Sequence, residues 1–281
     1  MALVTMKELL KDAQDRNYGI GYFNAVNLEM IRAYIHAAEE CESPIIIGTA
    51  EALLPISSFS WIVPIMLDEA QKAKVPVAVH LDHGYSFDVI MQALRAGFGS
   101  VMYDGSRDAS TNIQNSKKII HIAHAMGVAV ECEIGSVSGL SDESGKADKM
   151  IYTDPLDAVK FVEETNVDFL AVSIGTVHGT YLTKPQLDIP RLKKIHEMVN
   201  VPIVLHGGSG LSDADFRNTI SNGVCKVNVY TDIIDAARSA VEESVRTNSS
   251  ATYTDINLSA EKAMKEATIK KLMIFGSTNK A

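Results

Sequence analysis

The sequence predicts an α/β protein, a (β/α)8 TIM barrel with an added C-terminal helix, and three observations predict it. Eight short apolar runs are spread over 281 residues, stretches of helical period separate them, and each run ends in polar or glycine-rich residues. Alternation of strand-type and helix-type periods signals βα units and a parallel sheet. Runs that are apolar almost throughout suit strands buried on both faces. No Pro/Ser-rich linker or composition shift divides the chain, so residues 1–281 form one expected barrel domain.

In order, the N-terminal MALVTMKELLKDAQDRNYG is an amphipathic helix, too polar for a signal peptide or membrane span. The eight runs are GIGYFNAV (19–26), PIIIGTA (44–50), VPVAVHLDHG (75–84), SVMYDG (100–105), VAVECEIG (128–135), DFLAVSIGTVHG (168–179), VPIVLHGGSG (201–210) and KVNVYTD (226–232). NLEMIRAYIHAAEE and SFDVIMQALRAG are the helices expected after the first and third runs, and SAEKAMKEATIKKLMIFG is the added C-terminal helix. The stretch 136–155, rich in Gly, Ser and Asp, has no helical period and is expected to form a mobile flap.

A net charge of -9 argues against a nucleic-acid partner, so any phosphate is bound locally. With 46% hydrophobic and 22% charged residues the chain is an ordinary globular protein with no membrane association, expected in the cytoplasm. Cys41, Cys132 and Cys225 are odd in number and lie in apolar surroundings, as buried reduced thiols do.

In such a barrel the chemistry sits at the C-terminal ends of the strands. His83 closes the third run, Asp104 the fourth, Glu133 the fifth, His178 the sixth, His206 the seventh, and Asn228 with Thr231 the eighth. Three imidazoles are the usual protein share of a catalytic Zn2+ site, which keeps one position open. Each of the three rim histidines is followed by Gly, which permits close approach of a ligand. His36, His80, His121, His124 and His196 lie within helices or mid-strand and are read as structural. Asp82, beside His83, could transfer a proton at the same rim. Asp104 and Glu133 could either orient the histidines or bind a second divalent ion.

HGGSG (206–210) leads into a helix capped by Ser212, and NVYT (228–231) adds further donors. Loops after the seventh and eighth strands commonly bind phosphate through backbone N–H groups.

Taken together, HLDHG, SVMYDGS, ECEIG, GTVHGTY, HGGSG and KVNVYT resemble the class II, metal-dependent fructose-bisphosphate and tagatose-bisphosphate aldolases over nearly the whole chain. The resemblance implies a lyase of carbohydrate metabolism that splits a phosphorylated ketose into dihydroxyacetone phosphate and an aldehyde. It implies Asp82 as proton donor and acceptor, His83, His178 and His206 as zinc ligands, and Asp104 and Glu133 as an alternate metal position. Gly179, Gly207, Gly208, Ser209, Asn228, Val229, Tyr230 and Thr231 would hold the phosphate and hydroxyketone. A homodimer or homotetramer and a monovalent cation near the phosphate follow on the same grounds.

A Schiff-base route needs a lysine at the active rim. Lys226 opens the eighth run and is expected to face the opposite end, and Lys184 lies in a loop. The chain departs from the family at Ser141, where a flap glutamate is usual, which leaves Asp142, Glu143 or a water to move the substrate proton. Arg107 and Tyr230 also depart, and suggest a substrate other than fructose or tagatose bisphosphate. A metal-dependent sugar-phosphate epimerase or isomerase, or a non-catalytic sugar-phosphate sensor, would use the same barrel and loops; release of a triose phosphate separates them from an aldolase.

Overall fold

The computed structural model describes residues 2–106, 108–137, 151–179 and 185–281. Its strands are β1 (Ile20–Asn24), β2 (Ile45–Ala50), β3 (Val77–Gly84), β4 (Ser100–Tyr103), β5 (Ala129–Ile134), β6 (Phe169–Val172), β7 (Ile203–Leu205) and β8 (Val224–Val229). They pair in parallel in sequence order, and β8 closes on β1. The expected barrel is therefore present, with each expected run contributing its strand.

Eight helices follow the eight strands: α2 (Leu28–Glu40), α3 (Phe59–Lys72), α4 (Phe87–Ala96), α5 (Ala109–Ala125), α6 (Pro155–Thr165), α7 (Ile189–Met198), α8 (Asp213–Ser221) and α9 (Thr231–Thr247). Before them comes α1 (Met6–Arg16) and after them α10 (Tyr253–Phe275). The added C-terminal helix starts six residues earlier than its expected Ser259. Thr252 accepts from the Asp255 N–H and Asp255 reaches back to the Thr252 N–H, a reciprocal cap that starts the helix there. Ser212 caps α8 as expected, in the same reciprocal manner with Asp215.

The core has two shells. Outward-facing strand residues such as Ile47, Val79, Val101, Val130, Leu170 and Val227 pack beneath the helices. Inward-facing Ile20, Tyr22, Ile46, Ala78, Met102, Ala129, Phe169, Ala171 and Val204 fill the lower barrel, and Met6, Leu9 and Leu10 of α1 close it from below. Thus α1 is the plug of the N-terminal end. Its place is fixed by Val4 N–H donating to Val77 O at 3.0 Å and Val77 N–H donating to Ala2 O at 2.7 Å.

Two bulges set the upper barrel. Leu81 pairs with Val101 but Gly84 with Tyr103, so β3 carries one extra residue at Asp82–His83. His83 takes a left-handed φ of 40° there, unusual for a residue with a side chain, and both Asp82 and His83 turn into the barrel mouth. The second bulge lies between Ile203↔Val224 and Val204↔Lys226, one extra residue on β8. It corrects the expectation for Lys226. That lysine is fully buried in the middle of the barrel interior, its Nζ 2.8 Å from Glu131 Oε2, and does not face the opposite end.

Among the described residues no helix is long and apolar enough to cross a membrane. The three cysteines are free and buried, as expected.

Candidate active site

The three rim histidines come together. The rings of His83 and His206 lie 4.6 Å apart, His83 and His178 4.8 Å, and His178 and His206 5.9 Å. One nitrogen from each falls within 4.8 Å of the other two. His206 directly follows β7, whereas His178 lies six residues beyond β6; the intervening 173–177 segment, not the strand end itself, carries it inward.

The outer nitrogens of two rings are already engaged. His83 Nδ1 sits 2.9 Å from Asp104 Oδ2, and His206 Nε2 sits 2.8 Å from Glu131 Oε1. A carboxylate accepts only, so the ring proton of each neutral imidazole belongs on that side. The remaining lone pairs, on His83 Nε2 and His206 Nδ1, then face each other across 2.9 Å. Two lone pairs at that distance repel, so positive charge is needed there, supplied by a metal ion or by a proton on His83 Nε2.

The charges agree. Burial by itself would raise Asp82, yet His83, His206 and Lys226 overcome it and hold the carboxyl below its usual value. Burial disfavours a charged His83, but Asp82 and Asp104 outweigh it and push the imidazole up to about 10, marking this point as the place where the site wants positive charge. Burial, then the neighbouring His83, brings His178 down to about 4, and the same causes hold His206 well below its usual value. Both imidazoles are thereby kept neutral, the form in which histidine can bind a metal.

A second cluster shares His83 with Asp104 and Glu133. Burial, with the charge of Asp104, pushes Glu133 up to about 8. Its Oε1 accepts from the Val137 N–H at 3.2 Å, while among the described residues the buried Oε2 has no hydrogen-bond partner. A buried carboxylate oxygen without a donor is costly, and a cation would satisfy it.

Asp82 is 3% exposed. Its Oδ2 accepts from Asn24 Nδ2 at 3.1 Å and its Oδ1 from Asn228 Nδ2 at 2.9 Å, which fixes the carboxylate 3.9 Å from His206 Nδ1 and 4.0 Å from His83 Nε2.

A cavity of about 360 Å³ opens over this cluster, and every residue expected to hold phosphate lines it: Gly179, Gly207, Gly208, Ser209, Asn228, Val229, Tyr230 and Thr231. Gly207 has a φ of 68°, and a Cβ there would lie 2.5 Å from Val177 O. Ser209 Oγ accepts from Tyr230 N–H and Asp232 N–H, both at 3.3 Å, and Asp232 Oδ1 accepts from Gly210 N–H at 3.0 Å. The two loops are thereby locked together at the N-terminus of α9, where Ser209 Oγ takes the Asp232 N–H and Tyr230 O the Ile233 N–H, and this helix start lies at the cavity wall, where an anion is favoured.

Arg107, Ser141, Asp142, Glu143 and Lys184 lie outside the described residues. Among the described residues on either side of the middle three, Ser136 N–H donates to Ile151 O at 2.8 Å. Of the histidines read as structural, His124 bonds Asp168 at 2.8 Å on the outside, but His80 is fully buried beneath the site, with Nδ1 2.8 Å from Ser100 Oγ.

Asn24, Glu131 and Lys226 escaped the reading of the sequence. Glu131 was accessible: in ECEIG it lies two residues before Glu133, so strand period places both on one face. Asn24 is the last residue of β1, where a rim position lies. Lys226 depends on the β8 bulge, which leaves no trace in local sequence.

Known proteins resemble this one along its whole length. The family model described as fructose-bisphosphate aldolase class-II matches residues 4–280. A probable fructose-bisphosphate aldolase of Bacillus subtilis is 40% identical over 286 residues, all of both chains. The YdjI protein of Escherichia coli K12 is 40% identical over 271 residues, 96% of each chain. The crystal structure described as the YdjI aldolase superimposes with a TM-score of 0.90 at 38% identity, covering 99% of each chain.

Proposed function

Since the chain belongs to the class-II fructose-bisphosphate aldolase family and is a class II aldolase, we propose that it reversibly cleaves a phosphorylated ketose to dihydroxyacetone phosphate and an aldehyde, with Zn2+ at His83, His178 and His206. The observation that carries the reading is the convergence of one nitrogen each from His83, His178 and His206 within 4.8 Å, with a carboxylate behind the His83 ring and another behind the His206 ring. Three neutral imidazoles suit zinc and leave one position open. When bound there the ion supplies a Lewis acid for the substrate ketone.

The protein's own part begins with the phosphate. The Gly207–Ser209 turn, the Val229–Thr231 segment and the start of α9 line the place that receives it, and Gly179 allows the backbone to approach. Asp82 then takes the proton of the hydroxyl on the carbon that becomes the aldehyde. The C–C bond breaks, its electron pair passes toward the ketone side, and the aldehyde departs; condensation runs the same proton back from Asp82. Asn24 and Asn228 hold Asp82 in line, so it acts from one fixed position. Asp142 or Glu143 is proposed to exchange the proton at the dihydroxyacetone carbon.

Asp104 and Glu133, with His83, are proposed as an alternate metal position, supported by the unpartnered Glu133 Oε2. A monovalent cation beside the phosphate, a cytoplasmic location and a homodimer or homotetramer complete the proposal. Exposed Tyr253, Leu258 and Met273 on α10 support self-association. Nucleic acid and membranes have no part in it, as the acidic net charge suggests. Tyr230 on the cavity wall supports a substrate whose far end differs from that of fructose or tagatose bisphosphate.

The test is a screen of zinc-loaded protein against phosphorylated ketoses, with enzymatic detection of dihydroxyacetone phosphate and with chelator and Asp82→Ala controls. The expected result is triose release that both controls abolish. Conversion of a sugar phosphate without triose would replace the reading by an epimerase or isomerase, and tight sugar-phosphate binding without turnover by a sensor.

A further inference from the structure

Beneath the histidines lies a buried ion pair that the proton chemistry above does not use. Lys226 Nζ and Glu131 Oε2 are 2.8 Å apart, with both side chains 0% exposed. The second carboxylate oxygen, Oε1, lies 2.8 Å from His206 Nε2. Lys226 also stands 4.7 Å over the ring of Tyr22, whose hydroxyl donates to Asn24 Oδ1 at 2.7 Å. One ammonium thus touches the supports of two site residues: Glu131 behind His206, and Tyr22–Asn24 behind Asp82.

We propose that Lys226 is a positioning residue, which clamps Glu131 so that His206 keeps its proton on Nε2 and presents Nδ1 to the metal. The inference rests on the metal-site reading above. A carboxylate has two oxygens but one torsion for both. With Oε2 held by Lys226, Oε1 cannot rotate away from the imidazole. The other ionisable group paired with Oε2 among the described residues, His80 Nε2 at 3.7 Å, is too far for a hydrogen bond. Without the hold of Lys226, His206 would have no fixed acceptor for its outer N–H, and such outer partners typically govern ring orientation and metal affinity. Lys226 lies below the cavity lining with its amine held by Glu131, which argues against its use as a Schiff base.

The bulge on β8 makes the arrangement possible. In an unbroken strand Lys226 would alternate with Cys225, and one of them would face the helices; the extra residue turns both inward, Cys225 into the lower apolar layer and Lys226 above it.

The experiment is a double-mutant cycle read by metal binding. Metal-free wild type, Lys226→Met, Glu131→Gln and the double variant are titrated with Zn2+ against a chromophoric chelator, and with Co2+ to record the visible ligand-field spectrum. The expected result is about 10–100-fold weaker zinc binding in each single variant, an altered cobalt spectrum, and a double variant no weaker than Glu131→Gln alone, since Lys226 acts through Glu131. Wild-type affinity and spectrum in Lys226→Met would overturn the proposal, as would losses that multiply in the double variant. If Lys226→Met fails to fold, leaving a buried unpaired carboxylate, the comparison of the double variant with Glu131→Gln decides it: equal affinity and spectra support the clamp, a further loss overturns it. Failure of the wild type to bind either ion would sink the metal reading itself, and the clamp with it.

Discussion

The lower and upper halves of the barrel interior are built from the same eight strands by opposite physics. Below, Ile20, Ile46, Met102, Phe169 and Val204 meet Met6, Leu9 and Leu10 of α1 in a layer held by volume and by exclusion of water. Above, Asp82, His83, Glu131, Glu133, His206 and Lys226 are equally buried, but are held by charge balance and hydrogen bonds. The difference teaches that the apolar layer is the foundation on which a costly polar layer can be assembled. Buried charges tolerate little play, since each needs its partner at hydrogen-bond distance.

The comparison breaks most sharply at Asp82. Asp82→Asn keeps the shape but removes the base and one of the two acceptors in the Asn24–Asn228 cradle, so kcat is expected to fall by about 10²–10⁴, with zinc affinity close to wild type. A steady-state assay beside a metal titration checks it; an equal loss of metal would assign Asp82 to the metal set instead.

Leu10→Ala probes the other half. Leu10 is fully buried in the plug, and its truncation is expected to cost about 2–5 kcal/mol of stability, read by urea unfolding, with kcat/KM unchanged at temperatures where the variant is folded. If the catalytic constants fall as well, the upper layer depends on the plug more closely than on its own bonds.

Gly207→Ala tests the anion loop, where backbone and not side chains provides the contact. A left-handed φ of 68° and a Cβ 2.5 Å from Val177 O predict about 1–3 kcal/mol of strain. A rise in KM for the phosphorylated substrate, larger than any fall in zinc affinity, is the expected reading.

The smallest effect concerns the thiols. Burial pushes Cys225, in the lower layer, up to about 11 and Cys132, on the outer face of β5, up to about 12. Both stay protonated at pH 8, so iodoacetamide is expected to modify them only in denaturant. Because the folded values lie above the ordinary thiol value of 9.0, their contribution to stability is intact below pH 9 and is lost as the pH rises through about 11–12; unfolding midpoints measured across that range check the sign.

Strand and helix alternation is a local property, and it was enough to specify eight βα units, the closing barrel and the rim on which His83, His178 and His206 meet. Glycines after each histidine and in HGGSG marked the anion loops for the same reason, since a backbone need is written at the residue that meets it. The placement of Asp142 and Glu143 falls outside the described residues. What only the tertiary structure decided is register. One extra residue in β3 turns Asp82 and His83 inward together, and one in β8 brings Lys226 onto Glu131. A bulge is selected by how neighbouring strands and the layers above and below them pack, and no local period in the chain encodes that choice.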